Sequence, residues 1–337
     1  MSATDTARRT DGKPVPGRSD AGRSHPLALA RGYETVGILA VLVVVFALAT
    51  SKFLTQQNLV NVVSVQTITA VMTLAVLFPL IIGEFDLSVG YQIGFLAMFE
   101  AEIAQHVSNP AVVMLAGPVV GALVGLVNGM LTVVAKISSF IATLGVGILL
   151  SGATQGISHG QVIYTHIPTA ITNLSRTGFA SLPMSVWLTL LIGVILFYVL
   201  EHTPVGRFWY AIGSSQRVAY LAGVRTNTLR VLAFVLSGVL VGVAANFSLA
   251  QAGSANPGYG PDLLLPAYAA AFLGVSTYRP GYYNVAGSLI AILLLAIGFN
   301  GLSLLGVPFW VQPIFNGAAL LVAVLVARQE TRQVRVG

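Results

Sequence analysis

Ten runs of predominantly apolar residues follow one another between positions 33 and 327, with approximate edges 33–50, 58–82, 88–107, 111–135, 139–157, 182–200, 229–251, 262–278, 283–300 and 308–327. Each is close to the ~20 residues that a helix needs to cross ~30 Å of hydrocarbon. A backbone in hydrocarbon must satisfy its own polar groups, and continuous apolar runs of this length do so as helices. The expected fold is therefore an all-α polytopic membrane protein of about ten transmembrane helices. Composition agrees, with 55% of residues hydrophobic and 8% charged, against roughly 25% charged in soluble domains.

Three stretches lie outside or between these runs. Residues 1–32 carry Arg8, Arg9, Lys13, Arg18, Arg23 and Arg31 among Gly, Pro and Ser, and read as a disordered basic tail. The first apolar run lies too far behind these charges for a signal peptide and reads as a retained anchor. Basic residues in short loops mark the cytoplasmic side. The rule places the tail 1–32, the loop 201–228 and the C-terminal tail 328–337 inside, separated by six and then four spans, within a permease domain of 33–327. Lys136 and Arg279 fall inside as well, whereas Lys52 and Arg176 fall outside as exceptions. The longest external segment, 158–181, holds His159, His166 and Pro168 and is the natural contact for an external partner. The net charge of +6 is explained by membrane orientation. The basic residues are not interleaved with aromatics on one face, so lipid is the expected partner and nucleic acid is not. With no cysteine, disulfides and thiolate sites are excluded.

The loop at the centre is unusual. TPVGRFWYAIGSSQRVAYLAGV at 203–224 interrupts the apolar runs, with arginines at 207 and 217 and no acid. Thr203, Pro204 and Gly206 end the preceding helix, because proline lacks a donor and glycine accepts any backbone angle. Ser214 or Ser215 caps a short helix through Ala222, and Gly223 stops it. A helix this short is marginal in water. It is expected to dock on something, offering Val218, Ala219, Leu221 and Ala222. The other reading is a basic loop whose arginines only set topology.

A shift of 172 residues superposes Asn128-Gly129 on Asn300-Gly301 and Gly145 on Gly317, and pairs spans two to five with spans seven to ten. A displacement of five spans would make this repeat inverted, the arrangement many transporters use around a midplane pathway. Gly117, Gly121, Gly125 and Gly129 recur every four residues, forming a stripe that lets another backbone approach closely. Gly238 and Gly242 repeat the pattern.

Polar residues in the apolar frame are the candidates for a pathway. Asp86 and Glu84 lie between spans two and three, where acids are costly and mark pathways or satisfied structural contacts. Asp86 reads first as a cap of the following helix. Asp262 precedes span eight, four residues out of register with Asp86 across the repeat. Asn128, Asn246 and Asn300 either line a sugar pathway or bond a neighbouring helix. Glu100, Glu102 and His106 read as a solvated helix end in preference to a metal site. No G-x-x-x-x-G-K-[ST] or H-E-x-x-H occurs, so the chain has no P-loop of its own and no zinc protease motif. Ser151 with His159 lacks a fixed base or oxyanion site.

Four stretches also carry a resemblance to a known family. They are GEFDLSVG at 83–90, T-P-x-G-R-x-x-Y-A-x-G at 203–213 with the following A-x-x-A-G-V, AGSANPGYGPD at 252–262, and NGLSLLGVPFWVQPIFNGAALLVAVLV from Asn300. In order and spacing they resemble the ribose-type (sugar) membrane permeases of bacterial ABC importers, relatives of the branched-chain amino-acid permeases. The resemblance implies a homo- or heterodimeric channel without an ATPase site, worked by a cytoplasmic ABC ATPase and fed by a periplasmic solute-binding protein. It implies no cofactor for this chain, ATP being used by the partner subunit. In that family a central cytoplasmic helix docks on the ATPase. By similarity Gly206, Arg207, Tyr210, Gly213, Ala219, Ala222 and Gly223 fall on that coupling motif. The chain departs from the family at Gly274-Val275, where many relatives carry paired glycines, at Ser276–Gly281 in place of a Gly-rich turn, and at Glu84, where glycine is common. These departures are expected to border the pathway.

The expected function is the permease subunit of an ATP-driven importer for a sugar or polyol, in the bacterial inner membrane with both termini cytoplasmic. The alternatives are an ion-coupled secondary transporter with Glu84 and Asp86 as its ion site, an intramembrane enzyme, or an ABC permease for a nucleoside or amino acid.

Overall fold

A computed structural model describes residues 34–176 and 178–336. The basic tail 1–32 lies outside the described residues. Among the described residues, thirteen helices and one hairpin follow in order: α1 Glu34–Ala49, α2 Gln56–Ile81, α3 Val89–His106, α4 Pro110–Gly129 with a π-turn at Met130–Val134, α5 Ser139–Ser158, α6 Thr169–Arg176, β1 Gly178–Phe179, β2 Leu182–Pro183, α7 Met184–His202, α8 Pro204–Ser214, α9 Gln216–Leu221, α10 Thr226–Ala252, α11 Pro261–Leu273 with a 3-10 turn at Gly274–Ser276, α12 Val285–Leu304 and α13 Val311–Val336.

Each of the ten expected spans is one helix. Seven are long and apolar enough to cross a membrane; α1 and α11 are shorter, and the 18-residue α3 carries two glutamates. The chain is an all-α polytopic membrane protein. The helices start where the side chains dictate. Thr55 accepts from Asn58 N at α2, Asn109 from Ala111 N beside Pro110 at α4, and Asn284 from Gly287 N at α12, each satisfying an amide that the first turn leaves open. At the C-terminus α13 continues past the last apolar turn, so the expected tail 328–337 is helical through Val336.

The bundle is built around α2, in which every residue from Thr67 to Ile81 is buried. Its hydroxyls bond within the helix, Thr67 Oγ1 to Ser64 O and Thr73 Oγ1 to Thr69 O, both at 2.8 Å. Outward-facing side chains such as Leu48, Ile141, Leu149, Val194 and Leu321 are 65–84% exposed. Lipid tails are as apolar as leucine, so a membrane helix gains nothing by hiding them.

Small residues bring helices together instead. The stripe Gly117, Gly121, Gly125 and Gly129 on α4 lies antiparallel against α10, opposite Gly242, Gly238, Phe234 and Val231 in turn. The four-residue spacing of the glycines is thus a packing seam, as expected.

The repeat is visible in the packing. A shift of 172 carries Val89, the start of α3, onto Pro261, the start of α11, and Ser139, the start of α5, onto Val311, the start of α13. The contacts of α3 with α4 and α5 recur as those of α11 with α12 and α13, and α2 against α11 recurs as α10 against α3. Equivalent helices run antiparallel. Gln251 of α10 bonds Ser64 O and Thr67 Oγ1 of α2; at the far end Trp209 meets Phe78 of α2 edge-on and bonds Leu229 O of α10. The two helix starts are in register even though Asp86 and Asp262 are not, because Asp86 precedes its helix and Asp262 lies inside α11.

One end of the bundle gathers Lys136, Arg207, Arg217, Arg225, Arg230, Arg279 and Arg328 and is called the basic end below. At the opposite end the segment 158–181 is more than a loop. It forms α6, β1 and a bridge from Ile163 to Ala255, and Ile171 is fully buried.

Candidate functional site

At the basic end, Thr203 and Pro204 do two jobs. They end α7, as the sequence predicts, and Thr203 also caps α8, with Pro204 in its first turn. The result is two short helices joined at Ser215, which accepts from Val218 N to start α9.

Helix α8 is clamped to the bundle. Trp209, 1% exposed, meets Phe78 edge-on at 5.2 Å and donates to Leu229 O at 2.9 Å. Gly213 packs so tightly on the Ile81 carbonyl of α2 that a Cβ would overlap it, and Gly206 does the same against Leu200. Tyr210 Oη donates to Tyr283 O at 2.7 Å. Burial, reinforced by the Glu201 carboxylate, pushes the Tyr210 phenol up while Arg279 pulls it down, so it remains a donor. Arg279 lies over the rings of Tyr210 and Tyr282, at 5.1 and 4.6 Å, and pairs with Glu201 at 3.1 Å. Helix α9 has the opposite character: Val218, Tyr220 and Leu221 are 65%, 68% and 75% exposed.

Beside α8, the α2–α3 loop is tied to four helices. Asp86, fully buried, accepts at Oδ1 from Ser88 N (3.1 Å), Ser88 Oγ and Asn128 Nδ2 (3.3 Å), and at Oδ2 from Ser237 Oγ (3.2 Å). Its backbone N–H donates to Tyr268 Oη, whose own O–H is also placed to donate to Asp86 O, both at 3.0 Å. Phe85 N and Leu87 N donate to Ser139 Oγ and Thr143 Oγ1 of α5. Glu84 pairs with Arg230 of α10.

Two cavities flank this frame. One of ≈400 Å³ opens at the basic end between Glu84, Phe85, Tyr210, Gly213 and Tyr282. The other, ≈530 Å³, lies towards the opposite end between α2, α11, α12 and α13, with Gln66, Thr69, Asp262, Gln312 and Asn316 on its wall.

A model of the branched-chain amino acid transport system permease component matches residues 58–325. The chain is 30% identical over 291 residues to the ribose import permease protein of Escherichia coli (strain K12), covering 86% of this chain and 91% of that one. It is 30% identical over 295 residues to the ribose import permease protein of Bacillus subtilis (strain 168), covering 87% and 91%. To the D-allose transport system permease protein of Escherichia coli (strain K12) it is 27% identical over 316 residues, covering 92% and 97%. The chain belongs to this permease family. No solved structure matches it.

Within the permease, the seven motif residues at the basic end separate into two groups. Gly206, Tyr210, Gly213 and Ala219 face the bundle; Arg207, Ala222 and Gly223 are exposed. Ala219 is 4% exposed, which corrects the expectation that it forms part of the docking face. The side chains that α9 leaves exposed are Val218, Tyr220 and Leu221. Gly223 meets nothing within 4 Å but has φ +84°, so it is the left-handed stop of α9.

The expected pathway residues separate in the same way. Asn128 bonds Asp86 and Ser88; Asn246 donates to Met114 O and Gly242 O; Asn300 and Asn58 bond each other reciprocally at 2.9 and 3.0 Å. All three tie helices together. Asp86 is not a helix cap in the expected sense. It reaches Ser88 N only, and α3 starts without a side-chain cap bond. Both acids proposed for an ion site are thereby engaged, Glu84 by Arg230 and Asp86 by three side chains. Glu84 and Asp262 line cavities. Glu100 was expected at a solvated helix end. It is 0% exposed, facing Gly117, while Glu102 pairs with His106 nearby. Ser276–Gly281 packs beside α8 at the basic end, away from the larger cavity. No hydrogen bond joins Ser151 to His159 among the described residues.

Gln66, Gln312 and Asn316 line the larger cavity without being expected from the sequence. Gln312 and Asn316 share one apolar run, where their four-residue spacing sets them on one face, and Gln66 sits among Ser64, Thr67 and Thr69 with no such signal.

Proposed function

We propose that this permease is the translocation subunit of an ATP-driven importer for a sugar or polyol, without an ATPase site of its own. The relatives named above carry ribose and allose in their names, and two permease copies, a cytoplasmic ABC ATPase and an external solute-binding protein complete such a system. The basic end faces the cytoplasm of the bacterial inner membrane, in accord with the distribution of arginine and lysine. ATP is consumed by the partner subunit.

The observation that carries this reading is the contrast between α8 and α9. A six-residue helix exposing Val218, Tyr220 and Leu221 to water is unstable by itself. It is held on α8, which is locked to α2, α10 and the α12 approach through Gly213, Trp209 and Tyr210. A push on α9 is therefore delivered to the helices around both cavities. Rigid packed elements with two arrangements are the physical route for such transmission.

Reconstitution decides the matter. Permease, its co-purifying ATPase and its binding protein in proteoliposomes are expected to take up labelled ribose, or another labelled pentose or hexose, only with ATP. Uptake driven by an ion gradient without ATPase would overturn the proposal.

A further inference from the structure

The acids inside the bundle differ in what surrounds them. Asp86 accepts from Ser88, Asn128 and Ser237, while Glu84 and Glu201 pair with Arg230 and Arg279. Glu100 of α3 is 0% exposed, and neither of its carboxyl oxygens has a hydrogen-bond partner among the described residues. It fills the notch that Gly117 of α4 leaves by lacking a Cβ, and the Gly242 carbonyl of α10 faces the same notch. The Gly117 N–H lies inside α4, where the helix itself uses it. The seam around Glu100 is rich in acceptors. Gln92, Asn128 and Asn246 commit their amide N–H groups elsewhere and each keep a side-chain oxygen without a partner.

Among the described residues no cation stands against this carboxyl. Of the helices packed on α3, namely α2, α4, α5, α10 and α11, the first three carry no titratable residue, α10 has Arg230 and α11 has Asp262 and Tyr268. Arg230 pairs with Glu84 next to Val231, which faces Gly129, and Gly117 to Gly129 spans about 18 Å of α4. Tyr268 bonds Asp86, and Tyr259 meets α3 through its carbonyl at Gly94. On α3 itself Tyr91 lies towards the basic end and Glu102 pairs with His106, which is 74% exposed, while His166 bonds Gln105. An ionised carboxylate buried without a counter-charge is so costly that such a group neutralises instead. A carboxylic acid gains an O–H to donate, and acceptors are what surround it here. We infer that Glu100 is a proton-binding site: its carboxyl is neutral while α3 is packed on α4 and α10, donates across the seam, and loosens α3 when it ionises. The proton enters from the end opposite the basic one, because Glu100 lies about 9 Å from the His106 end of α3. The grip of α3 on the seam therefore depends on the pH at that face, whatever the solute and whatever drives its transport.

Infrared spectra of the full-length permease, grown on unlabelled or carboxyl-13C glutamate, read the protonation directly. Exposed glutamates ionise at about pH 4.3, so an isotope-sensitive carboxylic-acid carbonyl band at about pH 7 comes from a shielded glutamic acid. The band is expected in the wild type, lost in Glu100→Gln and kept in Glu102→Gln. Unfolding by SDS in mixed micelles is the second readout. A proton bound only in the folded state makes the unfolding constant rise up to tenfold per pH unit above ~4.3, until the buried acid itself ionises. Between about pH 5 and 7 the wild type is expected to lose stability by up to tenfold per unit relative to Glu100→Gln, whose neutral amide has no proton to lose. Glu100→Met, unbranched and uncharged, is the alternative variant for the same comparison. Absence of a glutamic-acid band from the folded wild type, its survival in Glu100→Gln, or parallel pH profiles for the wild type and the neutral variants overturns the site. So does failure of both neutral variants to fold, since a neutral acid has close neutral substitutes.

Discussion

Gly121 of α4 and Gly238 of α10 meet backbone to backbone, such that a Cβ on either would overlap the carbonyl oxygen of the other. No rotamer change relieves a clash with a backbone atom. Gly121→Ala or Gly238→Ala is expected to cost about 1–3 kcal/mol by forcing the helices apart, read as a lower thermal midpoint in detergent. Gly145, with nothing within 4 Å, is the comparison. Gly145→Ala should be neutral or stabilising by up to ~1 kcal/mol, and equal losses at all three positions would contradict the seam.

Docking on α9 predicts different fates for adjacent positions. Leu221→Arg, at an exposed site, should abolish co-purification of the ATPase while the permease elutes as a folded species. Ala219→Arg, at a buried site, should lower expression and thermal midpoint as well. If Leu221→Arg retains the ATPase, α9 is not the contact.

Arg279→Ala removes the pair with Glu201 and the stacking on Tyr210 and Tyr282. Loss of stacking and ion pair together is expected to cost about 1–2 kcal/mol. Because the same residue joins α8 to the turn before α12, ATP hydrolysis in the reconstituted complex should persist while uptake per ATP falls. Unchanged uptake per ATP would place the coupling elsewhere.

Glu84 and Arg230 are 18% and 13% exposed, so breaking one side leaves a largely buried charge. Glu84→Ala is expected to destabilise by about 3 kcal/mol, and the double variant Glu84→Ala/Arg230→Ala by less. A double variant worse than the single would show that Arg230 has a separate role.

Asp86→Asn turns one acceptor oxygen into a donor facing Ser88, Asn128 or Ser237. Destabilisation of about 2 kcal/mol is expected, as for a buried group left unpaired, with loss of expression preceding any change in solute preference. Normal stability with altered preference would move Asp86 into the pathway.

Much of the architecture was legible because hydrocarbon acts locally. Each span must satisfy its own backbone and be ~20 residues long, so the apolar runs alone place helices such as α2 at 56–81 and α5 at 139–158 to within two residues. The glycine stripe was legible for the same reason: spacing by four defines a face whatever the fold. The polar residues were not. Asn128, Asn246 and Asn300 look alike in sequence to Gln66, Gln312 and Asn316, since each is an uncharged amide within an apolar run.

The residues alone therefore determined the ten apolar helices and their approximate limits, the basic end and the marginal helix that needs a partner, all properties of a segment and its solvent. Only the tertiary structure decided which polar groups are engaged and which are free. Asp86 meets Ser237 and Asn58 meets Asn300 across gaps of 151 and 242 residues, and such pairings depend on which helices pack together. Ala219 turns inward and Leu221 outward by the same logic, because the face a short helix buries is chosen by the bundle it lies on.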